Sequence, residues 1–263
     1  MKNKDGVELF GLSVVLVRPR FPENVGSVGR ACLNMGASDI RLVAPENWDV
    51  EKAAVLATQH ARHLLEGATI HADLAGALLG VQEAFATTAR LGGWRKALLS
   101  PDKAAGMAAR RIAKGGTAAL VMGPEDQGLG NDDLALCTRL VTIPTASEGR
   151  SLNLSQAALL LLWECLKARR TIAAGQDAGA DVGADAGAAP GHGIGVPERE
   201  LLMARVKKAL LALDVLHGDN PDYFLMPFRR FLARTDISRR EFDMLMGLCR
   251  QVEWLAEKAG RAG

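Results

Sequence analysis

Short apolar runs alternate with helical patterns from residue 11 to about residue 170. The runs with strand character are LSVVLVR at 12–18 and, after it, IRLVAP, ATIHAD, EAFATTA, TAALVMG and RLVTIP. Helical spacing of apolar residues fills the stretches between them, at 24–35, 50–66, 72–80, 100–113, 131–137 and 153–170. Strands that lack polar alternation are buried on both faces, and helical connections make neighbouring strands parallel. The pattern therefore predicts an α/β fold, a mostly parallel sheet flanked by helices.

The composition changes after the last of these helices. Residues 173–196 are mostly Gly, Ala and Asp, a composition too poor in apolar anchors to offset the ordering of the backbone, so they are predicted to form a flexible linker. Three amphipathic helices are predicted beyond it, at 197–216, 223–234 and 238–258. Ser238 and Glu241 have the spacing of a capping box. The core side of that last helix is predicted to carry Phe242, Leu245, Leu248, Val252 and Leu255. The predicted organisation is thus a domain at 1–172, the linker, and a helical extension at 197–263.

Charge and cysteine content narrow the classes of function. There are 32 basic and 30 acidic residues, so contact with a nucleic acid would need a local basic surface. The four cysteines form no C-x-x-C pair, and we predict free thiols and no metal site. The longest apolar run, AALLLLW at 157–163, is too short for a membrane span. With no targeting signal at the N-terminus, we expect a cytoplasmic protein without membrane contact.

The stretch FPENVGSVGRACLNMG at 21–36 places two glycines inside a predicted helix, where each costs about 1 kcal/mol relative to alanine. Asn24 is predicted to cap this helix. Ser27, Arg30 and Asn34 share its polar face. Two interpretations stay open from these residues alone. Gly26 and Gly29 either serve tight packing beside a surface arginine, or they let a ligand approach Arg30.

Two later stretches leave strands and enter polar loops. VMGPEDQGLGNDDL at 121–134 has Leu129 where a phosphate-binding P-loop needs lysine, and it lacks the dinucleotide fingerprint. What it does hold is a carboxylate, Glu125, at the end of a strand, where open α/β sheets bind ligands. In IPTASEGRSLNLSQAALLLLWE at 143–164, Ser151 and Asn153 are of the residue types that cap helices.

Taken together and in order, N-x-G-x-x-x-R, G-x-E-x-x-G-L and I-P…S-L-N resemble the SPOUT superfamily of RNA methyltransferases, over residues 11–170. Within it the chain is similar to the TrmJ-type tRNA 2′-O-ribose methyltransferases, and its helical tail resembles their C-terminal extension. The resemblance implies a deep trefoil knot at the C-terminal end of the sheet domain. It also implies a homodimer, S-adenosylmethionine as methyl donor, and tRNA as substrate, with a pyrimidine of the anticodon loop as the expected target.

The resemblance also assigns residues. The donor would bind at Thr87, Thr88, Ala89, Gly123, Ile143, Arg150, Ser151 and Leu152. The catalytic set would be Arg30, Ser151, Asn153, Asn24 and Glu125. Arginine is sometimes described as the base in this family, but a guanidinium keeps its proton, and we favour Arg30 as a clamp on phosphate and on the developing alkoxide.

Further basic residues are candidates for tRNA contact. They are Arg90, Arg95 and Lys96, beside Trp94, and in the tail Arg229, Arg230, Arg234, Arg239 and Arg240. For each group a solvated surface is the competing interpretation. Two other functions also stay open, namely the same chemistry on ribosomal RNA and a catalytically idle RNA-binding module.

Overall fold

The computed structural model describes residues 8–89, 98–146, 151–175, 193–216, 221–235 and 237–260. The chain divides into two compact units, residues 1–180 and residues 181–263. The first unit contains the sheet and the second is helical. None of the helices in the described ranges is long and apolar enough to cross a membrane.

A seven-stranded sheet forms the centre of the first unit. Its strands are β1 (Leu12–Val17), β2 (Asp39–Val43), β3 (Thr69–His71), β4 (Glu83–Thr87), β5 (Leu98–Leu99), β6 (Ala118–Met122) and β7 (Arg139–Val141). They lie in the order β3-β2-β1-β6-β4-β7-β5, and every neighbouring pair is parallel. All residues of β1 and β6 are buried, as expected of central strands covered on both faces. The predicted fold class is confirmed, whereas the threading of a knot stays a prediction.

Helices cover the sheet and complete the core. In the first unit they are α1 (Pro22–Met35), α2 (Val50–Leu56), α3 (Arg62–Glu66), α4 (Leu74–Ala77), α5 (Pro101–Ala113), α6 (Asn131–Leu136) and α7 (Leu154–Ala173). Helix α7 packs against both α1 and α5, and its Leu161 and Leu162 are fully buried in the core. The hydrophobic core therefore lies between the sheet and these helices. The loops that follow the carboxyl ends of the strands are the candidates for a site.

Some predicted boundaries were wrong. The predicted helix at 50–66 is interrupted, because Ala57 is extended (φ −79°, ψ 145°) and a 3₁₀ turn, Gln59–Ala61, precedes α3. The predicted helix at 72–80 is a single turn. Strand β5 was missed because two residues carry no alternation that a pattern could detect.

The described residues of the second unit form the helices α8 (Val196–Ala212), α9 (Pro221–Arg234) and α10 (Arg239–Gly260). The predicted capping box is confirmed: the Ser238 backbone N–H donates to Glu241 Oε2 at 2.7 Å, and the Glu241 N–H donates to Ser238 Oγ at 3.3 Å. The predicted core side of α10 was partly wrong, since Leu248 and Leu255 are exposed. In their place α10 buries Glu253, whose carboxylate is paired with two basic residues of α8, Arg205 (3.1 Å) and Lys208 (2.7 Å).

Both ends of the predicted linker belong to neighbouring elements. Ala173 is the last residue of α7. At the other end, Gly193 pairs with Ser238 in an antiparallel bridge, and the buried Ile194 donates its N–H to the Ile237 carbonyl at 2.9 Å. Residues 193–196 are therefore part of the second unit. Ala174 and Gly175 directly follow α7 and are described, whereas residues 176–192 lie outside the described residues, and the flexibility of the linker stays a prediction.

Candidate active site

The segments expected to bind the methyl donor follow three adjacent strands of the sheet. They are Thr87–Ala89 at the end of β4, Gly123 after β6 and Ile143 after β7. Because β4 lies between β6 and β7 and all three are parallel, these segments emerge at the same edge. Hydrogen bonds tie them together: Thr88 N–H donates to the Val141 carbonyl at 2.9 Å, and Thr87 Oγ1 donates to the Val121 carbonyl at 3.3 Å. The topology thus gathers residues that are up to 56 positions apart in the sequence.

Gly123 allows the loop after β6 to fold back on itself. A Cβ at this position would lie 2.4 Å from the backbone of Gly128 and Leu129. Only glycine therefore fits where the loop returns, and the space beside its Cα is filled by the protein. Glu125 lies within the loop that this contact closes.

A chain of side-chain amides joins that loop to two helices. Asn24 Nδ2, on α1, donates to Glu125 Oε1 at 2.8 Å, and Asn24 Oδ1 accepts from Asn153 Nδ2 at 3.1 Å. Three residues of the expected catalytic set are thereby brought into direct contact, although Asn24 and Asn153 are 129 positions apart. The expectation that Asn24 caps α1 was wrong. The helix begins with Pro22, and Phe21 occupies the N-cap, so the Asn24 side chain is available for Glu125.

Asn153 has two roles, because it caps α7 as well as bonding Asn24. Its Oδ1 accepts from the Ser155 N–H at 2.8 Å, and its own N–H donates to Gln156 Oε1 at 3.3 Å. The capping interaction fixes the rotamer that points Nδ2 at Asn24. Ser151 and Leu152 lie directly before this cap, Ser151 exposed and Leu152 half-buried.

Arg30 lies on the exposed side of α1. Its neighbours on that side are Ser27, half-buried, and Asn34, exposed, as the helical spacing predicted. No hydrogen bond or ion pair joins the Arg30 guanidinium to another of the residues that the structure describes. A cation that is left without a protein partner in this way is available to a substrate.

The space beside the two glycines of α1 is filled by other parts of the protein. A Cβ on Gly26 would lie 1.8 Å from the carbonyl oxygen of Ala53, and a Cβ on Gly29 would lie 2.7 Å from Leu65 Cδ2. Both glycines are buried. The interpretation that they let RNA approach Arg30 is therefore wrong, because α2 and α3 already occupy that space. They allow these helices to pack closely on α1.

Two arginines directly after β1 were not singled out from the sequence. Arg18 Nη2 lies 2.5 Å from Asp133 Oδ2 at the start of α6, and this hydrogen bond raises the pKa of the guanidinium. Arg20 forms an ion pair with Asp126, and its Nε lies 3.3 Å from Glu46. Their position at the carboxyl end of a buried strand is the signal that could have found them.

Some of the remaining candidates for RNA contact lie outside the described residues, some are paired with carboxylates, and one is exposed. Arg90, Trp94, Arg95, Lys96 and Arg150 lie outside the described residues, as do the side chains of Arg230 and Arg234. In the second unit, Arg229 pairs with Glu200 and Arg239 pairs with Glu198, while Arg240 is exposed. A contact of these arginines with RNA stays a prediction, and Arg229 and Arg239 would have to exchange a carboxylate for a phosphate.

Among the residues that the structure describes, neither the free cysteines nor a group of metal-binding residue types indicates a further site. Burial raises the pKa of the Cys32 and Cys165 thiols to about 12, so both stay protonated and unreactive at physiological pH. In the described part of the chain, no three His, Cys, Asp or Glu side chains are grouped as a metal site would require.

Comparison with known proteins places this geometry in context. Residues 11–163 match the model of the SpoU rRNA Methylase family. The tRNA (cytidine/uridine/adenosine-2′-O-)-methyltransferase TrmJ of Pseudomonas aeruginosa is 30% identical over 93% of this chain and 95% of its own length. The tRNA (cytidine-2′-O-)-methyltransferase TrmJ of Methanocaldococcus jannaschii is 32% identical over 58% of this chain and 66% of its own length. The crystal structure of TrmJ from Zymomonas mobilis superposes with a TM-score of 0.73 at 28% identity, covering 92% of this chain and 98% of the other.

Proposed function

Because the chain belongs to the SpoU rRNA methylase family and is an RNA methyltransferase, we propose that it methylates ribose 2′-hydroxyls of tRNA, using S-adenosylmethionine. The names of the Pseudomonas and Methanocaldococcus relatives support tRNA as the substrate class. The proposed target is a pyrimidine nucleotide of the anticodon loop, and the proposed compartment is the cytoplasm. The observation that carries the proposal is the bonded set Asn24, Glu125 and Asn153 on the strand-end side of α1, with the unpaired Arg30 on the same helix.

The strand-end segments fit the donor. Thr87, Thr88 and Ala89 are small and half-buried or exposed, and they follow a strand whose two neighbours end at the same edge. When bound, the donor would supply a methyl group on a sulfonium, and its holders would be these residues with Ile143, Ser151 and Leu152. Gly123 and Arg150 complete the proposed set. We propose that no metal ion takes part, since the chemistry needs a charge-stabilising group and Arg30 supplies one.

Arg30 would act on the oxygen that attacks the methyl group. As the 2′-oxygen attacks, its bond to the methyl carbon would form while the carbon–sulfur bond breaks, and its proton would pass to solvent water. The negative charge that grows on the oxygen would be stabilised by the fixed guanidinium through two directed N–H groups. Glu125 and Asn153, held through Asn24, would orient the ribose. A permanently protonated arginine cannot take the proton itself, so we assign Arg30 as a clamp and not as the base.

We propose a homodimer formed along α7. Leu159, Leu160 and Trp163 lie on one side of this helix and are each more than 40% exposed, beside the buried Leu161 and Leu162. A row of large apolar side chains at helical spacing favours a protein partner. Leu160→Glu should therefore give a monomer in light scattering, with its circular dichroism unchanged. Val55→Glu, at an exposed apolar residue of α2 outside this row, should leave a dimer.

Mass spectrometry of nucleosides provides the test of function. The purified protein should methylate one class of nucleoside at the 2′-hydroxyl in tRNA from cells that lack the gene. The Arg30→Ala variant should methylate little of it. Ribosomal RNA from the same cells is the parallel substrate. Modification of ribosomal RNA alone would replace tRNA as the substrate, and modification of neither RNA would leave a module that only binds.

A further inference from the structure

Three loops at the carboxyl edge of the sheet meet at Arg20. This residue follows β1, its guanidinium pairs with Asp126 in the loop after β6, and its Nε lies 3.3 Å from Glu46 in the loop after β2. Its backbone N–H also donates to Glu125 Oε2 at 3.4 Å. Arg20 therefore contacts both Glu125 and the residue that follows it in the chain.

Glu125 needs such support because its loop has little regular structure of its own. Within the loop, the Gly128 N–H donates to the Pro124 carbonyl at 2.9 Å. One carboxylate oxygen of Glu125 is fixed by Asn24, and the other faces the Arg20 backbone. One bond comes from Asn24 in α1 and the other from Arg20 in the segment before α1, and together they fix the plane of the carboxylate.

The segment that carries Arg20 is itself firmly held. Arg18 has φ +47°, a strained conformation that non-glycine residues keep only where their surroundings enforce it. The Arg18 N–H donates to the Val43 carbonyl at 2.8 Å, and its side chain is anchored on Asp133. Such backbone strain is concentrated at functional sites, which is the second indication that this segment serves the site.

We infer that Arg20 is a positioning residue, which holds the loop after β6 through Asp126 so that Glu125 stays in register with Asn24. As far as it concerns the reaction, this inference rests on the proposed function. The competing role is a direct contact of Arg20 with an RNA phosphate. The charges separate the two roles, because Asp126 helps a positioning arginine but repels a phosphate.

Three variants of the full-length protein test this inference. Arg20→Ala and Asp126→Ala should each lower kcat for tRNA methylation by about tenfold, the scale of a displaced catalytic group, and leave KM for tRNA within about twofold. Arg20→Lys, which keeps the charge, should recover part of the rate. Arg62→Ala is the matched control, since Arg62 is similarly exposed (40% against 43% for Arg20) and also bridges two acidic side chains, Glu51 and Glu66.

The opposite pattern would overturn the inference. If Arg20 contacted phosphate, Arg20→Ala would raise KM at constant kcat, and Asp126→Ala would lower KM because a repelling charge is removed. The two variants would then change KM in opposite directions. A positioning role requires that they act alike on kcat.

A spectroscopic measurement separates this inference from the proposed function. The chain has seven asparagines, so selective ¹⁵N-asparagine labelling gives few side-chain amide signals, and Asn24→Ala assigns the one of interest. Arg20→Ala and Asp126→Ala should both shift the Asn24 side-chain signal, and Arg62→Ala should leave it in place. Shifts in a protein that methylates no tRNA would refute the proposed function and uphold the positioning role. An unmoved Asn24 signal in both variants would refute the positioning role.

Discussion

Helix α1 has two sides that differ in what their residues contact. On one side Gly26 and Gly29 are buried and lie against Ala53 and Leu65, which belong to other helices of the same chain. Arg30, by contrast, is exposed and has no partner among the described residues, and it lies six positions along the helix from Asn24 and its partly buried network. The glycine side determines how tightly the helices pack. The polar side is left for a ligand.

The difference between the two sides shows that residues adjacent in sequence can serve separate purposes. Gly29 and Arg30 are consecutive, yet one is fixed by Leu65 and the other by nothing in the described chain. Substitutions on the glycine side should therefore change stability, and substitutions on the polar side should change catalysis. Each prediction below tests that separation.

The largest effect is expected at Gly26. In Gly26→Ala the new Cβ would lie 1.8 Å from the Ala53 carbonyl oxygen, which is backbone and cannot rotate away. The packing of α1 on α2 would have to open, at a cost of at least about 3 kcal/mol. Chemical denaturation should show this loss of stability, together with loss of most soluble protein.

The control for that prediction is Gly247, in the middle of α10. A Cβ there meets no atom within 4 Å, so Gly247→Ala should stabilise the protein by about 0.5–1 kcal/mol through helix propensity alone. If both variants had the same stability as the parent, close packing would not be the reason for glycine at position 26.

Arg30→Ala should leave stability within about 0.5 kcal/mol, because an exposed side chain buries little apolar surface. Methyl transfer should fall by about 100-fold or more, the scale for losing one preorganised charge-stabilising donor. Arg30→Lys should restore only part of the rate, since an ammonium lacks the two-pronged geometry. Chemical denaturation measures the stability, and single-turnover kinetics measures the rate of methyl transfer. The affinity for tRNA is measured on the same variants.

Asn34→Ala, one turn further along the exposed side, is the matched control and should change neither quantity. Equal losses of tRNA affinity and of rate in Arg30→Ala would make Arg30 a binding contact alone. Unfolding of that variant would erase the distinction between the two sides of the helix.

Asn24→Asp is expected to slow methyl transfer about tenfold at pH 8, because it puts a second carboxylate where an amide donates to Glu125. Two carboxylates in contact raise each other's affinity for a proton, and a protonated carboxyl can donate as the amide did. The rate relative to the parent should therefore rise as the pH falls from 8 to 6. A ratio that is constant with pH would mean that the bond between Asn24 and Glu125 does not matter for the rate.

The smallest effect is expected at Gly29. In Gly29→Ala the new Cβ meets the end of the Leu65 side chain at 2.7 Å, and that side chain can change rotamer. The repacking cost is partly offset by the gain in helix propensity, which leaves a net loss of about 1 kcal/mol. Thermal unfolding should show a small decrease in Tm, and the methylation rate should stay at the parent value. A clear decrease in the methylation rate of the folded variant would show that the glycine side also affects catalysis.

The sequence was enough to predict features that depend on local periodicity. The buried strands, the exposed side of α1 with Arg30 and Asn34, and the capping box of Ser238 with Glu241 all follow from spacings of a few residues. The contacts of Gly26 with Ala53 and of Asn24 with Glu125 could not be predicted, because their partners are 27 and 101 positions away. Which loops meet is decided by the strand order, and no short pattern encodes it.

The functional roles depend on more than placement. The structure brings Asn24, Glu125 and Asn153 together, but the roles of these residues and of Arg30 in methyl transfer stay predictions until the variants are measured. Periodicity also failed on α10, where Glu253 is buried beside Arg205 and Lys208 in place of the leucines. A salt-bridged carboxylate can occupy an interior position that the apolar pattern gives to a hydrophobic residue.

The strand order also has a consequence for how the protein is made. Strand β1 leaves the ribosome early and can pair with β2, but Leu12 pairs on its other side with Ala118, which is synthesised 106 residues later. At a synthesis rate of about 5–20 residues per second that interval is roughly 5–20 s. Throughout it, the apolar strand LSVVLV lacks the partner on one of its edges, and an unpaired apolar strand edge favours aggregation. Asn153 is made later still, so the proposed catalytic centre is assembled only when the sheet domain is almost complete.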